Sequence, residues 1–206
     1  MAPQGAGQTK ERKMAKVAVV FHSGYGHTKA QAEAVARGAA SVPGAEASLV
    51  PVGEAEAHTA ELERADAIIF GAPTYMGSAS AAFKSFMETT SKGWMARAWQ
   101  DKLAAGFTNS ASQNGDKQNT LVELATFALQ HGMVWVGLGL LPGNNHSKGS
   151  IDDLNRLGGS IGALAQSNAD QGLEGMQASD LRTAEHLGAR VARLAVTLGA
   201  TRRLAA

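Results

Sequence analysis

Two alcohol hydroxyls and two glycines fall within six residues, Ser23-Gly24-Tyr25-Gly26-His27-Thr28, directly after the apolar run Val17-Ala18-Val19-Val20-Phe21. That order suits the gripping of a phosphate. An apolar, β-branched run ending in glycine reads as a buried parallel strand, and from Thr28 onward Ala30, Ala34, Val35 and Gly38 recur at helical spacing. The turn therefore brings an anion to a helix N-terminus, where the first backbone N–H groups lack intrahelical acceptors and the peptide dipoles present partial positive charge. No arginine is required there, and Ser23 and Thr28 add two hydroxyl donors. Spacing excludes two other phosphate turns. A dinucleotide fingerprint needs glycine where Lys29 stands, and a Walker loop needs lysine where His27 stands.

Other chemistries find less support. The six histidines, His22, His27, His58, His131, His146 and His186, lie on separate elements without ligand spacing, so no metal site is expected. A Ser-His-Asp hydrolase is not expected, and Glu54, Glu56, Glu61 and Glu63 read as a solvated face. The chain has 206 residues, 44% hydrophobic and 18% charged, with net charge +1, which suits one α/β domain with a substantial core. With 5% aromatic residues and no basic face, nucleic-acid binding is not expected. Zero cysteines exclude disulfides, thiolate nucleophiles and Cys-ligated zinc, and fit a cytoplasmic setting. The longest apolar stretch, Met133 to Leu141, is broken by Gly137 and Gly139 and falls far short of the ~20 residues of a spanning helix. Met1 to Lys13, polar and without an apolar core, is expected to be a mobile tail ahead of a single domain over 14–206.

The elements that must position the turn follow from the same patterns. Strands are expected at Ala45 to Val52, Asp66 to Gly71 (leaving through Ala72-Pro73), Lys102 to Phe107 and Met133 to Leu138. Helices are expected at Thr59 to Ala65, with Leu62 inward, and at Ala79 to Thr90, with Phe83, Phe86 and Met87 on one face. A third runs near Asn119 to Gln130 with Leu121, Leu124, Ala125, Ala128 and Leu129 inward. The last covers Ser179 to Leu198 with Leu181, Ala184, Leu187, Val191, Leu194 and Leu198 inward. Alternation of five strands with helices predicts a doubly wound, five-stranded parallel sheet with helices on both faces. Ligands of such sheets sit beyond the strand C-termini where strand order reverses. Three polar or aromatic loops meet at that edge: Ser23 to Thr28, Pro73 to Ser78 and Thr108 to Lys117. Gly139 to Ala178, rich in Gly and Asn, fits no element beyond a local turn at Ile161 to Ala165.

The pattern Ser-x-Tyr-Gly-x-Thr at Ser23 to Thr28 resembles the FMN-phosphate loop of the flavodoxin superfamily, in particular that of WrbA-like NAD(P)H:quinone oxidoreductases and FMN reductases. Gly71-Ala72-Pro73-Thr74 with Phe83-x-x-Phe86, then Gly93-Trp94, Lys102-Leu103-Ala104 and His131-Gly132-Met133-Val134, occur in the order that family shows. The likeness covers most of Lys16 to Val136 and, weakly, the last helix. It implies a flavodoxin-like fold that binds FMN through Ser23, Gly24, Tyr25, Gly26, His27 and Thr28, with Pro73, Thr74, Tyr75, Met76, Gly77 and Ser78 as a second flavin loop. Thr108, Asn109, Ser110, Ala111, Ser112 and Gln113 would border the isoalloxazine. Tyr75, Met76, Trp94 and His131 would shape the flavin face, with Trp94 open to contribution from a neighbouring subunit.

The function so implied is an FMN-dependent oxidoreductase passing electrons from NADH or NADPH to a quinone or similar small acceptor, in a homo-oligomer, dimer or tetramer. No protein acid, base or nucleophile is demanded, because the flavin carries the chemistry. The alternatives are a flavodoxin-type electron carrier and a flavin-binding regulatory protein. Carriers of that kind are typically strongly acidic to steer toward basic partners, whereas the sequence pI is near 8.1.

Overall fold

The computed structural model describes residues 14–204, so the expected tail, Met1 to Lys13, lies outside the described residues. Strands β1 (Ala15–Phe21), β2 (Ala45–Pro51), β3 (Ala67–Tyr75), β5 (Leu103–Ser110) and β6 (Val134–Trp135) form a parallel sheet in the order β2-β1-β3-β5-β6. The short β4 (Ser78–Ala79) folds back antiparallel on the end of β3. Helices α1 (His27–Ala40) and α6 (Ala178–Leu204) cover one face; α2 (Thr59–Arg64), α3 (Ala81–Thr89) and α5 (Lys117–Gln130) cover the other, with a small α4 (Ser91–Met95) after α3. Alternate residues of each strand feed two cores. Val17, Val19 and Ile69 meet Val35, Leu187 and Val191 on one side, while Val20, Ile68 and Phe70 meet Phe83, Leu121 and Leu124 on the other. Burial on both faces explains why the strands read as unbroken apolar runs rather than alternating ones.

Strand five departs from expectation. In place of one strand from Met133 to Leu138, the position beside β5 is shared. β6 pairs with Leu103 and Ala104, and β7 (Ala163–Gln166) pairs with Phe107 to Ser110. Residues 136–162 leave the sheet between the two and return to it. The local turn expected at Ile161 to Ala165 is thus a strand, hidden in the sequence by its four residues and its lack of β-branched side chains. β3 also runs on to Tyr75 through Pro73. Proline is tolerated there because β1 has ended; the last bond between them is His22 N–H to the Gly71 carbonyl, 3.0 Å.

α1 and α6 touch backbone to backbone. A Cβ on Gly38 would fall on the Glu185 carbonyl, and one on Gly188 on the Val35 carbonyl, so the two glycines set the distance between the helices. Alanine would gain up to about 1 kcal/mol of helix propensity at either site. Overpacking a backbone contact that cannot yield costs about 1–3 kcal/mol or more and should prevail. Gly188→Ala is expected to lower the denaturant midpoint, and an unchanged midpoint would mean that the helices do not touch there.

Candidate active-site cleft

β1, β3 and β5 all end at one edge of the sheet. The helix after β1 lies on one face and the helix after β3 on the other, so a crevice opens between these strands. It is a cleft of about 600 Å³, lined by Ser23, Tyr25, His27 and Thr28, by Pro73 to Met76, by Asn109 to Ala111, and by Ser167, Asn168, Ala169 and Gln171. Three of the four segments are the loops expected from the sequence. The fourth, after β7, was not foreseen; the length and Gly/Asn content of its surroundings were the signal available.

The first loop is built as an open cradle. Gly26 stands before α1 in the left-handed conformation, φ 92°, and no side chain caps the helix, which leaves its first N–H groups to an outside acceptor. Ser23 Oγ accepts the Gly26 N–H at 3.0 Å, so its own proton remains to be donated. Thr28 is buried in the first turn of α1 and reaches the cleft wall. His27 Nε2 contacts the carbonyls of Gln171 (3.1 Å) and Gly172 (2.9 Å); carbonyls only accept, so this nitrogen carries the proton and pins the fourth segment to the phosphate turn.

Tyr25 and Tyr75 stand edge to face, ring centroids 6.3 Å apart. Burial raises the Tyr75 phenol above its ordinary pKa, Tyr25 adds to this, and the Gly24 N–H opposes it by donating to the phenolic oxygen. Met76 (φ 49°) and Gly77 (φ 80°) make the two-residue turn into β4, and Met76 projects fully into solvent. Behind the cleft, Thr108 Oγ1 donates to Thr74 Oγ1, which donates to Thr120 Oγ1, each at 2.8 Å, joining second loop, third loop and α5. Asn109 Nδ2 holds Ser167 Oγ at 2.9 Å, while its buried Oδ1 has no partner among the described residues.

A profile of the family described as NADPH-dependent FMN reductase matches residues 42–145. The chain belongs to this flavodoxin-like family. Flavodoxin FldP of Pseudomonas aeruginosa (strain UCBPP-PA14) is 48% identical over 192 residues, spanning 91% of this chain and all of that protein. An NAD(P)H dehydrogenase (quinone) of Trichlorobacter lovleyi is 34% identical over 210 residues, spanning 91% of this chain and all of the relative. Among solved structures, a WrbA-like flavodoxin from Agrobacterium tumefaciens superposes with a TM-score of 0.70 at 45% identity, covering 89% of this chain and 98% of that one. FMN and NAD(P)H are the cofactors of this FMN reductase family.

The cleft fits FMN by its donor set. An uncapped helix N-terminus with Ser23 and Thr28 suits the phosphate, the tyrosines suit a flat ring, and the orphaned Asn109 Oδ1 is an acceptor awaiting an N–H. Not every residue expected at the flavin lines it. Gly24 lies beneath the Tyr75 hydroxyl, and Gly77 presents its carbonyl to Asn119 Nδ2 at 2.7 Å. Ser78 Oγ binds the Glu123 carboxylate at 2.8 Å, and Thr108 is buried in the threonine chain. Ser112 and Gln113 turn their carbonyls to Lys117 Nζ, at 2.6 and 3.0 Å.

Trp94 and His131 stand at the opposite end of the strands. His131 follows α5 beside the start of β5, stacked at 4.3 Å on Trp99 and hydrogen-bonded at 2.9 Å to Thr90 Oγ1. Burial lowers its pKa. The expectation that His131 sits beside the flavin is thus corrected for the single chain: its side chain completes the aromatic cluster of Phe127 and Trp99. Trp94, on α4, is half exposed and reaches the cleft of its own chain no better. Among the described residues no group of three His, Cys, Asp or Glu could hold a metal ion, and no helix is long and apolar enough to cross a membrane.

Proposed function

We propose that the chain is an FMN-dependent oxidoreductase that accepts electrons from NADH or NADPH and delivers them, two at a time, to a quinone or similar small acceptor. The observation that carries the reading is the uncapped N-terminus of α1, opening behind Gly26 into a cleft flanked by Tyr25 and Tyr75. Bound FMN supplies hydride acceptance and release; the protein supplies position and field. The α1 dipole with Ser23 and Thr28 holds the phosphate, and Tyr75, fixed by the Gly24 N–H, holds the ring against the second loop. Among the described residues no Asp or Glu lines the cleft, so none of them opposes negative charge on a reduced ring there. Trp94 can take part only across a subunit boundary, in the homo-oligomer that the resemblance implies.

A one-electron carrier is the second reading, favoured by the 48% identity to a protein named flavodoxin. The two readings part in one anaerobic experiment on FMN-loaded protein. NADPH or NADH should bleach the flavin absorbance directly and benzoquinone should restore it over repeated cycles. Bleaching by dithionite but by neither nicotinamide would replace the enzyme by the carrier.

A further inference from the structure

Lys117, the first residue of α5, is 1% exposed, yet it sits in a turn whose other polar residues face water. Its ammonium lies among three successive backbone carbonyls, Ser112 at 2.6 Å, Gln113 at 3.0 Å and Asn114 at 3.3 Å. The chain reaches this geometry through two consecutive left-handed residues, Gly115 (φ 54°) and Asp116 (φ 53°), which curl the loop around the side chain that follows it. An ammonium has three protons and no lone pair, so it matches three acceptors and holds them converged. In a trans peptide the N–H points opposite to the C=O, so the N–H groups of Gln113, Asn114 and Gly115 are turned away from Lys117. The result is a loop with carbonyls gathered inward and amides outward, an arrangement that suits an electron-rich ligand edge.

Second contacts bind the loop to the cleft. Ser110 Oγ donates to the Ser112 carbonyl at 3.2 Å, and Gln166 Nε2, from the end of β7, donates to the Ala111 carbonyl at 3.2 Å. Ser110 and Ala111 are cleft-lining residues, so the ammonium fixes the part of the loop immediately behind them.

We propose that Lys117 is a positioning residue for the flavin ring, its ammonium setting the third loop from behind by holding the Ser112, Gln113 and Asn114 carbonyls. This rests on the FMN reading. The group also has a pH range of its own. Burial draws the ammonium from 10.5 down to about 8, with Asp180 of α6 opposing and Arg156 of the excursion adding; Asp116, on the loop itself, is exposed. Above that range the amine, still buried, keeps two protons and a lone pair for three carbonyls, and the loop slackens around it. Global stability moves the other way. With the folded pKa below the unfolded one, the unfolded chain holds more protons between the two values, so stability rises with pH there. A loop that slackens around a buried amine while the protein becomes more stable is a signature that general alkaline unfolding does not produce.

The test uses the full chain. In wild type free of flavin, backbone order parameters at the Cα sites of residues 112–116 should fall between about pH 7 and about pH 9.5, while those in the α5 interior do not. Lys117→Met should show the mobile loop at every pH, and should weaken FMN and riboflavin by the same factor, about tenfold or more, because riboflavin lacks only the phosphate. Equal loop order parameters and equal riboflavin affinity in Lys117→Met and wild type would overturn the proposal. Should that variant fail to fold, a wild-type loop whose order parameters are flat with pH overturns it equally. Wild type that binds neither flavin defeats the FMN reading instead, and is recognised before any variant is made.

Discussion

Thr28→Glu protein should retain no FMN after purification, while still binding riboflavin. Thr28 lies in the first turn of α1, where the unpaired N–H groups and the helix dipole converge, and its side chain is buried at the cleft wall. A carboxylate there satisfies the same N–H groups from within the chain and sets a negative charge against the phosphate, so both the site and its field are lost. Ser23→Ala removes one hydroxyl donor and should cost about 1.5–3 kcal/mol, roughly ten- to hundredfold in affinity. It also removes the acceptor of the Gly26 N–H. The amide is then free to turn toward the phosphate, which places the effect at the lower end of that range. Fluorescence quenching of FMN and of riboflavin measures both variants. Folded Thr28→Glu protein that binds FMN like wild type would place the phosphate elsewhere.

The phosphate turn was readable because it is local: strand, glycines and helix start follow one another, and nothing remote alters them. The doubly wound sheet was readable for the same reason, strand by strand. Faces of helices were less so. Leu129, Leu194 and Leu198 have the spacing of inward residues but are exposed, while Phe127, Ala192 and Ala195 take the buried places. Periodicity admits neighbouring faces, and packing chooses. On α5 the choice is made by Phe127, whose ring lies 5.2 Å from Phe70 and 6.1 Å from both Phe86 and Trp99, contacts distant in sequence. The fourth cleft segment was hidden by the same kind of distance. Ser167 and Asn168 reach the site only because residues 136–162 leave the sheet and β7 returns to the same edge. Lys117 could not be read as buried at all, since a lysine in a polar turn is ordinarily solvated.

Among the contacts that hold that excursion is a buried ion pair, and breaking it should give the largest stability loss. Arg156, in the excursion, and Asp180, in the first turn of α6, have side chains 3% and 2% exposed. Nε and Nη2 of Arg156 donate to the two carboxylate oxygens at 2.8 and 2.7 Å, and the Gln166 N–H donates to the same carboxylate at 2.9 Å. The carboxylate therefore joins the excursion, β7 and α6 at a single point, and Gln166 carries the connection on to the third loop. Asp180→Ala leaves a buried guanidinium without its counter-charge, which costs about 3–5 kcal/mol. For a chain of this size each kcal/mol lowers Tm by about 2–4 °C, so a fall of about 6–20 °C is expected. The double variant Arg156→Met, Asp180→Leu separates the cost of an unpaired charge from the worth of the pair. Replacing a buried pair by apolar groups of similar size is often nearly neutral, so the double variant should be more stable than Asp180→Ala alone. It should nevertheless bind flavin more weakly than wild type, because Gln166 loses the acceptor that fixes its backbone beside the third loop. Thermal melts with FMN titrations on the three proteins decide it. A double variant no more stable than the single would mean that the carboxylate acts through Gln166 and α6 rather than through Arg156, and wild-type flavin affinity in the double variant would detach the excursion from the site.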